Sequence, residues 1–408
     1  MKRFFFFLLL IALVVNVASA ETRVRIMAYN VFAYPGNDAE IRNPEFIKIL
    51  DYADPDILAV NDIQDDAGVQ QFKNDILGDG WSVSAWQEAV AYEYALYVKT
   101  DKFEIVNSWV WEYAAGKPTP MWEVKYLLDD EAPHLYIIGS HFESGSDKPE
   151  GRMVQALPII DSLKASHLDD YVIWAGDMSV YKASEPWYQA ILVDSLFWDP
   201  INTPGEWNNN AAYAHVHTQS SRSGQVFGGL DDRFDQCLVS KAFAHPMEKG
   251  WAYSNLEGHY VCIGNDGQHY NTDVNATPPE NTFGQPLADA LWTASDHLPI
   301  YMDFYFGFPP VSVDEQTVVA PGAFDLLSAY PNPFNSTVQL GFSLTSTVDA
   351  RLAIYNVSGR EVAVVADGKM NSGVHTVTWN AQDLPGGIYF ARLTVGNDSR
   401  ILKLVYMK

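Results

Sequence analysis

The feature that most constrains the fold is a series of short apolar segments, spaced like β-strands and separated by helical segments, over the first three quarters of the chain. Each is either a short apolar run or an apolar–polar alternation, as in buried or half-buried strands. Strands and helices mixed in one large domain predict two stacked sheets with helices outside. The segments are Val24–Phe32, Asp56–Val60, Tyr94–Val98, Trp109–Trp111, Leu135–Ser140, Val172–Ala175, Phe234–Val239 and Leu298–Phe304.

Helices are predicted between several of these strands. Asn43 is a candidate N-cap with Pro44 at the first helical position, and Ser184 precedes a second helix in the same way. A longer helix is predicted over Met153–Leu168, bent at Pro158.

The two ends of the chain differ from this pattern. Met1-Lys2-Arg3, an apolar run and a small-residue exit at Ala20 are typical of a secretory signal peptide, so we expect residues 1–20 to be removed. No later segment is long and apolar enough to cross a bilayer, so no transmembrane segment is expected. We predict a domain over 21–306, a linker over 307–325 and a second domain over 326–408, which reads as a small all-β sandwich.

Charge and cysteine content restrict the chemistry. A formal net charge of -25 argues against binding of polyanions through a basic surface. It leaves a phosphate substrate open, because carboxylates can hold divalent cations that supply positive charge locally. Cys237 and Cys262 are the only cysteines, and the sequence leaves open whether they form one bridge or remain two free thiols.

Polar residues stand where six of the apolar segments end. Strand ends next to loops are where a rigid scaffold can bring distant side chains together. The set has the composition of an oxygen-ligand metal centre with acid–base helpers. Its members are Asn30, Asp62, His141, Asp177, Asp235 and the pair Asp296-His297.

These fragments resemble the endonuclease/exonuclease/phosphatase family, whose members include DNase I and bacterial sphingomyelinases. The most specific matches are Gly176-Asp177 after an apolar strand and the run Ser295–Pro299, and the resemblance covers residues 23–306. It implies a four-layer α/β sandwich, two packed β-sheets flanked by helices, and hydrolysis of phosphate esters.

The resemblance also implies a divalent metal ion held by Asn30, Asp62 and Asp296. Mg²⁺ is the expected ion, with Mn²⁺ or Ca²⁺ as alternatives. Asp62 stands where the family has a Glu, so its carboxylate is one methylene shorter.

The remaining family roles are catalytic. His297 would be the general base that activates water, oriented by Asp235, and His141 would stabilise the phosphate or the leaving group. Asp177 would position the attacking water. Ser179 lies beside it, at a position where the family has Asn.

Three further residues carry alternatives. Glu93 resembles the residue that orients the family's first histidine, and a surface glutamate is the other interpretation. Arg222 and Arg233 stand in glycine- and histidine-containing stretches and are candidates for substrate contact, with a structural salt bridge as the alternative for each.

The C-terminal part resembles the sorting domain of the type IX secretion (Por) system, an immunoglobulin-like sandwich. The fragments that carry this resemblance are Tyr330–Asn335, Ile354–Val362 and Gly386–Phe390. It implies the type IX machinery as a partner, passage across both membranes, and a secreted or cell-surface location. An adhesive β-sandwich is the alternative.

Together these features predict a secreted, monomeric, metal-dependent phosphoesterase that hydrolyses phosphodiester bonds, with DNA or RNA as the expected substrate. A hydrolase of phospholipids or other phosphate esters is the alternative within the same class. Because Asp62 and Ser179 depart from the family, a surface binding protein that has lost the chemistry is the alternative from another class.

Overall fold

The computed structural model describes most of the chain. It covers residues 22–306, except 85–92, 112–117, 168, 194–195, 225–227, 245–249 and 254–259, and residues 324–406, except 331–333, 345–346, 357–359, 372, 383 and 397. The predicted signal peptide lies outside these ranges. The chain divides into two compact units, Met1–Pro310 and Val311–Lys408, and this division falls inside the segment predicted as a linker.

The first unit combines strands with five helices in the part of the chain that is described. The strands are β1 (Thr22–Tyr34), β2 (Ile57–Ile63), β3 (Trp81–Val83), β4 (Glu93–Lys99), β5 (Phe103–Trp111), β6 (Thr119–Tyr126), β7 (Leu135–His141), β8 (Tyr171–Asp177), β9 (Phe197–Trp198), β10 (Asp235–Ser240), β11 (Trp251–Tyr253), β12 (Tyr260–Cys262) and β13 (Ile300–Phe306). The helices are α1 (Ala39–Ala53), α2 (Asp66–Phe72), α3 (Pro149–Ser166), α4 (Pro186–Val193) and α5 (Gln285–Ala294).

These strands form two sheets. The first has the order β11-β13-β1-β2-β4-β3, with β12 also paired to β13, and the second has the order β5-β6-β7-β8-β10-β9. The pairs β1/β2 and β7/β8 are parallel, whereas the other pairs are antiparallel. Because parallel neighbours end on the same side, each sheet carries adjacent strand termini at one edge of the sandwich.

The buried side chains of the first unit form three hydrophobic cores. Inward-facing residues of both sheets, such as Ile26 and Ile173, make one core between the sheets. The opposite face of the first sheet packs on α1 and α5 through residues such as Phe46 and Leu291. The opposite face of the second sheet packs on α3 and α4. Helix, sheet, sheet and helix therefore stack in four layers, which confirms the predicted fold class.

Several boundaries differ from the sequence prediction. Helix α1 begins at Ala39 rather than at Pro44, which lies inside the helix. Strand β6 was not predicted, although Glu123 and Lys125 alternate with the apolar Trp122, Val124 and Tyr126, which is a strand signal. The sequence left open whether Cys237 and Cys262 form a disulfide bond. In the structure both are free thiols.

The second unit is all-β among its described residues. Its strands are β14 (Phe324–Tyr330), β15 (Thr337–Leu344), β16 (Val348–Asn356), β17 (Glu361–Met370), β18 (Gly373–Asn380), β19 (Gly387–Val395) and β20 (Asp398–Tyr406). They form sheets of order β14-β15-β18 and β17-β16-β19-β20 that share one apolar core, as expected for a small sandwich. In neither unit do the described residues include a helix long and apolar enough to cross a membrane.

Candidate active site

The candidate site lies where the inward-facing alternation of the strands changes from apolar to polar. In β8, Ile173 and Ala175 belong to the core between the sheets, and Asp177 is the next residue of the same alternation. The register aligns Asp177 with His141 on β7 and with Asp235 on β10. In the first sheet, Asn30 follows Ala28 in the same way. The sheet geometry therefore brings together side chains that are far apart in sequence.

His297 and Asp235 form a buried pair at the centre of the site. Nδ1 of His297 lies 2.8 Å from Oδ2 of Asp235, and the two residues are 5% and 1% exposed. Burial alone would lower the pKa of His297, but the charge and hydrogen bond of Asp235, with the charges of Asp296 and Asp177, raise it above its ordinary value. The pair resembles an imidazole whose tautomer is fixed by a carboxylate.

Asp177 lies at the point where the two sheets meet. Its Oδ2 accepts a hydrogen bond from Nδ2 of Asn30 at 3.3 Å, and it lies 3.8 Å from Nε2 of His297 and 3.9 Å from Nε2 of His141. Its Oδ1 accepts from the backbone N–H of Ser179 at 2.7 Å, and the Ser179 hydroxyl lies 2.9 Å away. One carboxylate thus faces both histidines and is held from its other side.

Two unusual backbone positions hold Asp177 in place. Gly176 has φ +129°, and a Cβ there would lie 2.5 Å from the backbone oxygen of Ser140 on the neighbouring strand, so only glycine fits. Ser179 has φ 44°, in the left-handed region, which turns the chain so that its N–H points back at Asp177. The local structure therefore requires glycine at position 176, while Ser179 holds Asp177 through its backbone N–H and its hydroxyl.

Asp62 lies on a β-bulge. It has φ 64°, and the register of β2 with both neighbouring strands shifts around it. Val60 and Ile63 both belong to the core under the helices, so the bulge takes Asp62 out of the regular alternation. Asp62 is half-buried, and its role as a metal ligand stays a prediction.

Oxygen donors with unmet bonding capacity fit a divalent cation here. Asp296 is 6% exposed, and its Oδ1 is buried without a hydrogen-bond partner. A buried carboxylate oxygen is costly unless a charge or donor reaches it. Within the described ranges, no three His, Cys, Asp or Glu side chains converge as a metal centre, so any ion held at this edge would need amide oxygens beside its carboxylates. Carboxylate and amide oxygens are ligands that Mg²⁺ and Ca²⁺ accept.

The two arginines predicted to contact substrate lie in different surroundings. Arg233 is 1% exposed, donates to Asp199 at 2.8 and 2.9 Å, and packs on the Trp207 ring. This geometry matches the salt-bridge alternative. Arg222 donates to the backbone oxygens of Trp292 and of Thr293 at the end of α5, and burial lowers its pKa.

Arg222 also forms an aromatic cluster with two neighbours of the site. Its guanidinium lies 5.4 Å from the Phe32 ring centroid and 5.5 Å from that of Trp292, which is 39% exposed. The backbone N–H of Phe32 donates to Asn30 at 3.0 Å, so the cluster adjoins the predicted metal ligands. We call Phe32, Arg222 and Trp292 the aromatic rim.

The last predicted site residue is Glu93. It is the first residue of β4, opposite Ile63 in the register, next to the bulge at Asp62. This places it on the strand predicted for it. Its action on His141 stays a prediction.

Sequence reasoning missed two residues of this region. Asn61 follows Ile57 and Ala59 in the alternation that faces the second sheet, and counting by two along β2 would have found it. Asp232 lies on a loop, and no sequence signal marked it. Burial, with the charges of Asp231 and Asp177, raises the pKa of Asp232 to about 7 despite a hydrogen bond from Asn208.

Comparison with known proteins gives one family match. Residues 328–407 match the family described as the secretion system C-terminal sorting domain, which confirms the predicted tail. The domain indicates type IX secretion to the cell surface or extracellular space, so the predicted localisation is also confirmed. It implies interaction with that machinery. None of the curated proteins compared with the chain matches it.

Solved structures resemble the chain at low identity. A humanized TDP2 from D. rerio is 17% identical with a TM-score of 0.48, and the match covers 69% of this chain and 98% of that one. An endonuclease/exonuclease/phosphatase family protein from Bacteroides thetaiotaomicron is 16% identical with a TM-score of 0.45, covering 71% and 99%. A mannosyl-6-phosphatase from the same organism is 15% identical with a TM-score of 0.45, covering 69% and 100%.

Proposed function

We propose that the chain is a secreted, metal-dependent phosphodiesterase in which His297 activates water for attack on phosphorus. The observation that carries this proposal is the convergence of His297, His141 and Asn30 on one oxygen of Asp177, with Asp235 behind His297. A water or a phosphoryl oxygen bound beside this carboxylate would meet two imidazole nitrogens. General acid–base help and pre-positioned donors are what in-line hydrolysis of a phosphate ester requires.

Each residue has a role that follows from its contacts. Asp177 accepts a hydrogen bond from the attacking water and orients it, while Nε2 of His297 takes its proton. Asp235 keeps the proton of Nδ1 in place and stabilises the imidazolium that forms. Nε2 of His141 faces the same point from β7 and donates to a phosphoryl or leaving oxygen.

A divalent cation held by Asp62, Asp296 and Asn30 would offset the charge that grows on the phosphoryl oxygens and part of the negative charge around His297. Of these three residues, Asn30 contacts Asp177 directly through its Nδ2.

We further propose a nucleic acid as substrate, because the aromatic rim adjoins the site. Exposed aromatic rings and an arginine are surfaces on which bases stack. The rim supplies local cationic and aromatic contact on a chain of formal net charge -25. A phospholipid headgroup has no planar base to stack on these rings. The aromatic rim therefore favours a nuclease over a lipid hydrolase.

The test is hydrolysis by the purified chain in Mg²⁺ or Mn²⁺, with a small chromogenic phosphodiester, single-stranded DNA, RNA and sphingomyelin assayed in parallel. We expect activity that chelation abolishes, and its near loss in His297→Ala. Equal rates for the two proteins would overturn the assignment of His297 as the base, whereas no hydrolysis of any of these substrates would favour a binding protein.

A second comparison tests the substrate class. Trp292→Ala should raise KM for DNA or RNA while leaving the rate on the small diester unchanged. Trp109→Ala is the matched control, because Trp109 is similarly exposed at 37% but lies on the edge strand β5. Cleavage of sphingomyelin alone would refute the nuclease proposal and leave the phosphodiesterase intact.

A further inference from the structure

We infer that Asn61 is an additional cation ligand of this site, a deduction that rests on the proposed metal-dependent function. Asn61 is 2% exposed, yet neither its Oδ1 nor its Nδ2 has a hydrogen-bond partner. Buried polar side-chain atoms are normally paired, so an amide with both ends unpaired requires an explanation. The neighbouring oxygen atoms support one explanation, which is that Asn61 binds a cation.

The strand geometry directs Asn61 into the site. Its Cα is the register partner of the Asn30 Cα across the parallel pair β1/β2. Ile57 and Ala59, its predecessors in the alternation, belong to the core between the sheets, as does Ala28 before Asn30. The two amide side chains therefore extend from neighbouring strands toward the same cleft, opposite the residues of the second sheet.

A cation fits this amide better than an apolar contact or a water alone. Asp62 is the next residue, and its carboxylate is one methylene shorter than that of a Glu. On the other side of Asn30, the buried Oδ1 of Asp296 also has no hydrogen-bond partner. Carboxylate and amide oxygens from three neighbouring segments make the hard-oxygen set that Mg²⁺ and Mn²⁺ prefer. With Oδ1 on the cation, Nδ2 is left to donate to a phosphoryl oxygen.

If Asn61 is a cation ligand, replacing it should raise the melting temperature of the cation-free protein. If Asn61 instead had a structural role, the same replacement should lower that temperature. Leu keeps the branching of Asn at Cγ and has no polar side-chain atoms, so Asn61→Leu removes two unsatisfied buried groups from the cation-free protein. We expect the melting temperature in EDTA to rise. We also expect the affinity for Mn²⁺, measured by calorimetry without substrate, to fall at least tenfold.

Asn281 is the matched control. It is also 2% exposed, but its Nδ2 donates to Gly264 and Val274 and its Oδ1 accepts from Phe283. Asn281→Leu should lower the melting temperature and leave the Mn²⁺ affinity unchanged. The two substitutions are chemically identical, so opposite effects report the environment of each amide.

The outcomes separate this inference from the proposed function. If the wild type binds Mn²⁺, Asp296→Asn weakens that binding and Asn61→Leu does not, the ligand assignment is overturned while the phosphodiesterase proposal stands. A lower melting temperature for Asn61→Leu in EDTA would overturn the assignment as well. If the wild type neither binds Mn²⁺ nor hydrolyses any diester, the proposed function itself fails.

Discussion

The Nδ1 atom of His297 lies 2.8 Å from Oδ2 of Asp235, and this contact joins the loop before β13 to the first residue of β10. With Nδ1 bound to the carboxylate, only Nε2 faces the cleft, 3.8 Å from Asp177. The contact with Asp235 therefore leaves Nε2 as the ring nitrogen that can take part in the reaction. The activity is therefore expected to depend on the orientation of a single ring.

Removing that ring should be the most damaging single change. His297→Ala is expected to lower kcat/KM by about 10²–10⁴-fold, the range of general acid–base help. Steady-state kinetics on a small phosphodiester measure it, with circular dichroism to show that the fold is kept.

His134→Ala serves as the control for this prediction. His134 immediately precedes β7, and His141 of the candidate site is the last residue of that strand. The control therefore removes a histidine at the end of β7 opposite to the site. A comparable loss in both variants would point to damaged folding rather than to catalysis.

Ser179 is expected to act through Asp177 as a positioning residue. Ser179→Ala removes a hydroxyl 2.9 Å from the carboxylate, while the backbone N–H at 2.7 Å remains. One hydrogen bond to a charged group contributes about 1.5 kcal/mol, so we expect kcat to fall about tenfold with KM unchanged. An unchanged kcat would mean that the N–H alone holds Asp177.

The polar strand ends could be predicted from sequence because they are local. Asp177 and His141 each follow an apolar run, and alternation along a strand specifies which residues share a face. Two stacked sheets with helices outside followed from the same mixture of strands and helices, and the family resemblance implied the four-layer arrangement.

Contacts between distant segments could not be predicted in this way. Arg233 carries no mark of its partner Asp199, which lies 34 positions earlier, and only the folded loops bring them together. The bulge at Asp62 depends on the register of β2 with both neighbours, which is a tertiary property. Asn61, by contrast, shares the alternation of Ile57 and Ala59, so counting by two along the predicted strand would have included it.

Arg233 is expected to stabilise the fold. Its pairing with Asp199 is buried on both sides, with side-chain exposures of 1% and 7%. Arg233→Ala leaves an unpaired buried carboxylate and should lower the free energy of unfolding by about 3–5 kcal/mol. Denaturant titration measures this. A stable variant with a raised KM would instead restore the substrate-contact role predicted from sequence.

His269 should make stability depend on pH through its contacts within one loop. Its Nδ1 lies 2.9 Å from Oδ1 of Asp266, and its Nε2 lies 3.0 Å from the backbone oxygen of Ala276, so the charged ring satisfies an acceptor with each nitrogen. Burial lowers the pKa of His269, but the hydrogen bond and charge of Asp266 and the backbone oxygens raise it above its ordinary value. A raised pKa in the folded state contributes stability that is fully present below the unfolded value of about 6.5 and is lost as pH rises through the folded value.

The difference in unfolding free energy between wild type and His269→Gln is therefore expected to be larger at about pH 5.5 than at about pH 10. Asp266→Asn should remove most of this pH dependence, because the carboxylate of Asp266 raises the pKa of His269 both by its hydrogen bond and by its charge. Urea titrations of the three proteins at the two pH values measure it. The pairing would be refuted by a wild-type advantage that is the same at both pH values, since a neutral ring held by its backbone contacts would not respond to pH.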